Sequence, residues 1–278
     1  MIHKEIQRQK IVDDFFNNTS VFWKNYTRLK NVYGEVYRER QSAAMNYVTH
    51  LPMSKNAKIL EIGCGAGQLA INLAEKGFFV EAVDNAPKMV EICRQSAAKA
   101  KLEKTVHANV EDVHALSFEE NSFDVVVGMG VVIWLHNLKK ALSEIHRVLK
   151  PGGFLILSLD NRYAAHILFD LPIAAKSIMK RRLNRGGFWT QKTDFDALNP
   201  RFFSEKEFNK ILGEFKFMNL NRKYLGFGPF TFFGREIFSG KVGLIVSRQI
   251  QKTADKGFSV LQLVASQCIV LATKEGKR

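Results

Sequence analysis

Apolar and polar positions along this chain fall into two periods. Short apolar runs bounded by turn residues occur near 58–62, 78–83, 104–108, 123–128 and 153–159. Segments with apolar residues three and four apart separate most of them, at 67–76, 87–100 and 138–149. Strands alternating with helices predict a parallel sheet with helices on both faces. Residues 1–52 read as helical: Ile11, Val12, Phe15 and Phe16 form a stripe, Asn17-Asn18-Thr19-Ser20 breaks it, and a second helix is predicted from about Val36 to His50. Beyond the fifth strand, Ser204 followed by Glu207 predicts a capped helix start. Strands near 215–223 and 266–273 follow. The pattern predicts a single domain over 1–278: an N-terminal helical lid at 1–52, a core at 53–160, cap insertions at 161–203 and 226–258, and core completed by 204–225 and 259–278.

The most specific stretch is Ile59-Leu60-Glu61-Ile62-Gly63-Cys64-Gly65-Ala66-Gly67. It reads as a buried strand entering a glycine turn, where a ligand can lie against bare backbone. The next strand ends in Asp84, placed to bind both hydroxyls of a ribose. The spacing is Gly-x-Gly-x-Gly, not the Gly-x-Gly-x-x-Gly of dinucleotide sites. It suits a ligand with a ribose and an amino-acid tail but no phosphate.

This arrangement resembles motif I of the class I S-adenosylmethionine-dependent methyltransferases. The likeness extends through Asp84-Asn85-Ala86-Pro87-Lys88-Met89-Val90, Asn121-Ser122-Phe123-Asp124-Val125-Val126-Val127 and the helix ending in Lys150-Pro151-Gly152-Gly153. It covers roughly 55–160 and is closest in character to type 11 and type 25 methyltransferases with small-molecule or lipid acceptors. The resemblance implies a Rossmann-like, parallel-dominated seven-stranded α/β sheet and S-adenosyl-L-methionine as cofactor, released as S-adenosyl-L-homocysteine. It implies that Glu61 sits near the methionine amino group and that Gly63, Cys64, Gly65 and Gly67 form the turn against the cofactor. Asp84 and Asn85 are expected at the ribose and Met89 beside the adenine. Asn109, followed by Val110, falls where the family often has an adenine-binding Asp. Met129 and Gly130 are expected to floor the site. In this family N-terminal helices form a lid, and Arg38 or Arg40 is expected to reach the cofactor carboxylate, with Arg38 the assigned residue.

Composition adds a formal charge of +14 over 278 residues. Such a balance suits nucleic acid, an anionic membrane surface, an anionic substrate or simply a solvated surface. No apolar run is long enough to span a bilayer, no secretory signal is visible, and Cys64, Cys93 and Cys268 lack paired or metal-type spacing. The expected location is the cytoplasm, with peripheral contact at the inner membrane surface through 163–185, where apolar residues alternate with Lys176, Lys180, Arg181 and Arg182. No metal cluster is predicted.

Methyl transfer needs alignment and dryness more than acid–base help. His136, after the fourth strand, is the candidate base; Asp160, Tyr163 and His166 are second choices. Trp23, Tyr26, Tyr33, Tyr163, Phe227 and Phe230 are the expected acceptor-binding residues. Greasy additions point to a lipophilic small-molecule acceptor, with or without an acidic group, methylated on oxygen: a secondary metabolite, quinone precursor or lipid precursor. The alternatives are a phospholipid N-methyltransferase, an RNA methyltransferase and a non-catalytic cofactor-binding partner protein. No Asn-Pro-Pro-Tyr run follows the fourth strand, and no RNA-binding module is appended, so a nucleic-acid partner is disfavoured.

Overall fold

The computed structural model describes residues 2–54, 56–164, 198, 200–232, 235–238 and 240–276. The core strands are β1 (Lys58–Ile62), β2 (Phe79–Asp84), β3 (Val106–Val110), β4 (Phe123–Gly128), β5 (Leu149–Asp160) and β6 (Phe217–Leu225). A short ladder, β7 (Thr231–Phe232) with β8 (Arg235–Glu236), stands apart, and β9 (Gln267–Lys274) completes the sheet. The strand order is β3-β2-β1-β4-β5-β9-β6. The first five strands pair in parallel, and β9 lies antiparallel between β5 and β6. This is the seven-stranded, mostly parallel arrangement predicted. β5 begins earlier than expected because Leu149 already pairs with Phe123, before a register shift at the Pro-Gly-Gly turn.

Alternation along the strands splits the core between the two faces. Leu60, Ile62 and Val126 join Leu142 and Ile145 of α6 (Leu138–Val148) and Phe208 and Leu212 of α7 (Glu205–Glu214). Ile59, Val125 and Val127 join Leu69 and Leu73 of α4 (Gln68–Glu75) and Val90 and Cys93 of α5 (Pro87–Ala100) on the opposite face. The predicted capping box opens α7: the Glu207 N–H donates to Ser204 Oγ, and the Ser204 N–H donates to Glu207 Oε2 at 2.8 Å. Phe208 just inside it is fully buried. Phe208→Ala is expected to cost about 3–5 kcal/mol of stability, read as a lowered urea midpoint; a shift of a few tenths would mean the cavity collapses.

Before the sheet come α1 (Ile2–Asn18), α2 (Ser20–Asn25) and α3 (Val32–His50). α3 starts earlier than predicted because the Asn31 side chain caps it, accepting from the Gly34 N–H. The second insertion carries α8 (Gly240–Asp255) and α9 (Ser259–Val264). The stretch 163–185, including His166 and excepting Tyr163 and Ala164, lies outside the described residues, and with it the expected membrane contact. Among the described residues no helix is long and apolar enough to cross a membrane, and no cluster of side chains has a metal-binding arrangement.

Candidate active site

A cavity of about 300 Å³ opens at the carboxyl ends of the parallel strands, where strand order reverses between β1 and β4. The glycine turn after β1 forms one wall. Gly63 and Gly65 take φ of +65° and +54°, a region side chains disfavour. A Cβ on Gly63 would stand 2.9 Å from Val131 Cγ2, whereas around Gly65 nothing lies within 4 Å of that position. The Gly65 backbone therefore faces open space that a ligand can fill.

Asp84 ends β2 on the same wall. Its Oδ2 accepts from the Gly65 N–H and its Oδ1 from the Ala86 N–H, both at 2.9 Å. Each oxygen has a second lone pair to offer. Burial pushes the Asp84 pKa up to about 6, against the pull of these backbone donors. Asp84 is expected to accept two ribose hydroxyls in its charged form, so that ligand binding favours its ionisation. The affinity for S-adenosylhomocysteine is therefore expected to be full above pH 7 and to fall as pH drops through 6, by about tenfold at pH 5. Calorimetry across that range checks it; a flat profile would remove Asp84 from the ribose.

Asn85 and Met89 also line the cavity, as do Met129 and Gly130 after β4. Trp23, Tyr26 and Tyr33 line it from the lid, with Phe16 and Trp134 beside them. The rings interlock: Trp23 and Tyr26 lie 4.9 Å apart, Phe16 and Trp134 5.4 Å. Burial raises the Tyr26 pKa to about 12, so its phenol remains a hydrogen-bond donor. Polar bonds fasten α1 across the cavity. Asn85 Nδ2 donates to Asp13 Oδ2 at 2.6 Å and the Lys88 N–H donates to Asn17 Oδ1 at 3.0 Å, while Gln9 Nε2, one turn earlier on α1, steadies Asp13 through Oδ1 at 2.8 Å.

The structure corrects several site assignments. Arg38 turns away from the cavity. It donates to Thr27 O at 2.7 Å and Leu29 O at 2.8 Å and pairs with Glu35. Arg40 lines the cavity instead, 4.7 Å over the Tyr37 ring and close enough to Gly130 that a Cβ there would meet Nη1 at 2.7 Å. Its Nε is buried and without a hydrogen-bond partner. Tyr33, Val36, Tyr37 and Arg40 are spaced three and four apart and all line the cavity, a periodicity that marks one helix face.

Asn109 and Val110 are also displaced. Asp84 pairs in register with Val110, so β3 must reach Val110 before its carboxyl end is level with β2. Asn109 faces Arg94, Val110 is 48% exposed, and Glu111, Asp112, Val113 and His114 line the cavity. The acids on this wall are Glu111 and Asp112. The alternation Val106, Ala108, Val110 was the signal that β3 runs two residues further.

His136 does not line the cavity. The 3₁₀ turn Val132–Trp134 puts Ile133, Trp134 and Leu135 on the wall, and His136 stacks behind His114, ring centroids 3.7 Å apart, with Nδ1 2.9 Å from Gln9 Oε1. His114 does line it, but both its nitrogens are committed: Nδ1 to Asp112 Oδ1 at 2.5 Å and Nε2 to the Asn137 N–H at 3.3 Å. Neither imidazole is placed as a base toward the cavity.

Tyr163 is 46% exposed and off the cavity wall. Phe227 packs into a separate cluster with Ala254 and Ala265, and Phe230 packs against that cluster; Gly228 and Pro229 between them are the residues that reach the cavity. Glu61, Cys64 and Gly67 stand behind the turn. The Glu61 carboxylate accepts from the Ala70 N–H while Oε2 has no partner, and burial pushes its pKa well above the usual range. The Cys64 thiol donates to Gly65 O at 3.6 Å, and a Cβ on Gly67 would stand 2.4 Å from Cys93 Sγ.

Five carboxylates (Asp13, Asp84, Glu111, Asp112 and Asp160) line the cavity against one arginine, Arg40, among the described residues. That balance suits a ligand with net positive charge, such as a sulfonium bearing an amino-acid tail. A nucleoside with open room at Gly65, acceptors at Asp84 and Asp112, and a guanidinium at Arg40 for its carboxylate fits these groups.

The family model described as a methyltransferase domain matches residues 60–157. Demethylmenaquinone methyltransferase of Staphylococcus epidermidis is 29% identical over 230 residues, covering 74% of this chain and 88% of the relative. The structure resembles magnesium protoporphyrin IX methyltransferase of Synechocystis, solved with bound S-adenosylhomocysteine, at a TM-score of 0.63 and 17% identity, covering 96% of this chain and 100% of that one. It also resembles geranyl diphosphate C-methyltransferase of Streptomyces coelicolor, at 0.55 and 13%, covering 87% and 83%.

Proposed function

We propose that this chain is a class I S-adenosylmethionine-dependent methyltransferase, as the match to the methyltransferase domain supports, and that it methylates an oxygen of a lipophilic, ring-bearing small molecule, such as a quinol or quinone precursor. The observation that carries the reading is the lid half of the cavity, walled by Phe16, Trp23, Tyr26, Tyr33, Trp134 and Phe202. Such a wall removes apolar surface from water and offers ring edges and faces to a flat acceptor. A quinone-type acceptor is also what the name of the staphylococcal relative specifies for that protein.

S-Adenosylmethionine supplies a methyl carbon on a sulfonium: as the acceptor oxygen bonds to it in line, the C–S bond breaks to release S-adenosylhomocysteine and the hydroxyl proton passes to a wall carboxylate or to water. The chain's own work is to hold the two ligands in line and keep water out. Asp84 and Asp112 hold the nucleoside, Arg40 holds the tail, and the lid aromatics clamp the acceptor. An anionic acceptor does not suit a wall this rich in carboxylates, so the basic surface is assigned no part in choosing the acceptor.

The test is incubation with S-adenosylmethionine and a panel holding a reduced prenylated naphthoquinone, a long-chain phenol, phosphatidylethanolamine vesicles and RNA, read by mass spectrometry. A methyl ether on the ring compounds is expected. Methylation of the amine lipid or the RNA alone would overturn the reading, and no product from any of them would favour a non-catalytic partner protein.

A further inference from the structure

The floor of the acceptor half is polar, and its polar atoms are incompletely satisfied. Asp160 is the last residue of β5 and Gln267 the first of β9, and the two are register partners. Gln267 Nε2 donates to Asp160 Oδ1 at 2.9 Å, which fixes both side chains. That bond leaves Asp160 Oδ2 and Gln267 Oε1 buried and without partners, and both residues line the cavity. Asn161 beside them differs: its amide donates to Leu263 O and Ala265 O, and its oxygen accepts from the Tyr163 N–H.

Unpartnered buried acceptors are uncommon because each forfeits its water without compensation. Two of them, on paired residues and flanking the hydrogen bond that joins them, call for two donors on one ligand. The two residues are antiparallel register partners joined side chain to side chain, so both acceptors sit where neighbouring donors on one ligand can meet them. We propose that Asp160 and Gln267 form a paired acceptor subsite that selects an acceptor carrying two adjacent hydroxyl groups, a catechol-like ring, and sets which of its atoms meets the methyl carbon. The inference rests on the lipophilic-acceptor reading above and names the polar end of that acceptor.

Arg40 shapes the charge of the subsite. Burial raises the Asp160 carboxyl, and Arg40 on the facing helix α3 opposes that shift, which favours the acceptor-only form. The lid phenols complete the enclosure, so the hydroxyls meet the carboxylate without competing water. Asp160 and Gln267 are read here as positioning and specificity residues.

The test is titration of the full chain, saturated with S-adenosylhomocysteine, with tert-butylcatechol, tert-butylphenol and tert-butylanisole. These share an apolar body and carry two, one and no hydroxyl hydrogens. Wild type is expected to prefer catechol to phenol and phenol to anisole, by roughly tenfold at each step. Asp160→Asn puts an amide donor where Oδ2 stood, and Gln267→Leu removes the second acceptor. Each is expected to cut the preference for catechol over phenol to within about threefold while S-adenosylhomocysteine affinity holds. Either variant alone suffices if the other fails to fold. Equal binding of the three probes would overturn the subsite and leave the lipophilic cavity standing. The wild-type order persisting in both variants would also overturn it. Binding of none would overturn the subsite and the lipophilic-acceptor reading together.

Discussion

Asp84→Ala is expected to weaken S-adenosylhomocysteine binding roughly a hundredfold, about 3 kcal/mol. Two charge-assisted hydrogen bonds to the ribose are lost, and each such bond contributes about 1.5–3 kcal/mol in a water-poor site. The substitution also removes the acceptors of the Gly65 and Ala86 N–H groups, so the glycine turn loses its brace. Stability is expected to change far less. The Asp84 pKa is raised to about 6 in the fold. Keeping the group charged at neutral pH therefore costs the folded state, and its removal relieves that cost while two backbone donors go unpaired. Equilibrium dialysis with a parallel thermal melt separates the effects. Unchanged affinity would remove the ribose role; collapse of the fold would show that the turn depends on the carboxylate.

Arg40→Leu is expected to have the second large effect, again about 3 kcal/mol on S-adenosylhomocysteine, because a part-buried guanidinium partnered by a ligand carboxylate carries several kcal/mol when one member is removed. The discriminating ligand is methylthioadenosine, which lacks the amino-acid tail. Its affinity is expected to stay within about threefold of wild type, since adenine and ribose meet other walls. Arg38→Leu is the control: its guanidinium is bound to Thr27 O, Leu29 O and Glu35, so tail recognition is expected to survive. A parallel loss for both ligands in Arg40→Leu would mean that the arginine holds the lid and not the tail.

The fold was legible because its signals are local. Alternation at Ile59/Leu60 and Val125/Val126 marks strands buried on both faces, the glycine turn marks the crevice, and Ser204 with Glu207 announces a helix start. The places of Gly63, Gly65, Asp84, Asn85 and Met89 on the cavity wall were legible for the same reason, since they follow strand ends or open the next helix. The misses came from phase. Arg38 and Arg40 are two residues apart and so point to opposite sides of α3, and only the spacing from Tyr33 through Tyr37 distinguishes them. β3 ended two residues late, which put Glu111 and Asp112, not Asn109, on the wall. His136 failed because a 3₁₀ turn, invisible to period counting, set Ile133, Trp134 and Leu135 on the wall and sent the imidazole behind His114. Phe227 and Phe230 failed because composition gives greasiness but not direction: Gly228 and Pro229 between them face the cavity while the rings pack away. The Asp160–Gln267 pair arises from strands far apart in sequence, and only the antiparallel insertion of β9 brings them together.

One cavity is proposed to hold the cofactor between the glycine turn, Asp84 and Arg40. Calorimetric titration of the purified chain with S-adenosylhomocysteine at pH 7.5, after mass spectrometry has cleared it of co-purified ligand, tests this most directly. One site per chain with a Kd of about 1 μM or tighter is expected. No binding by a chain shown to be folded by circular dichroism would contradict it.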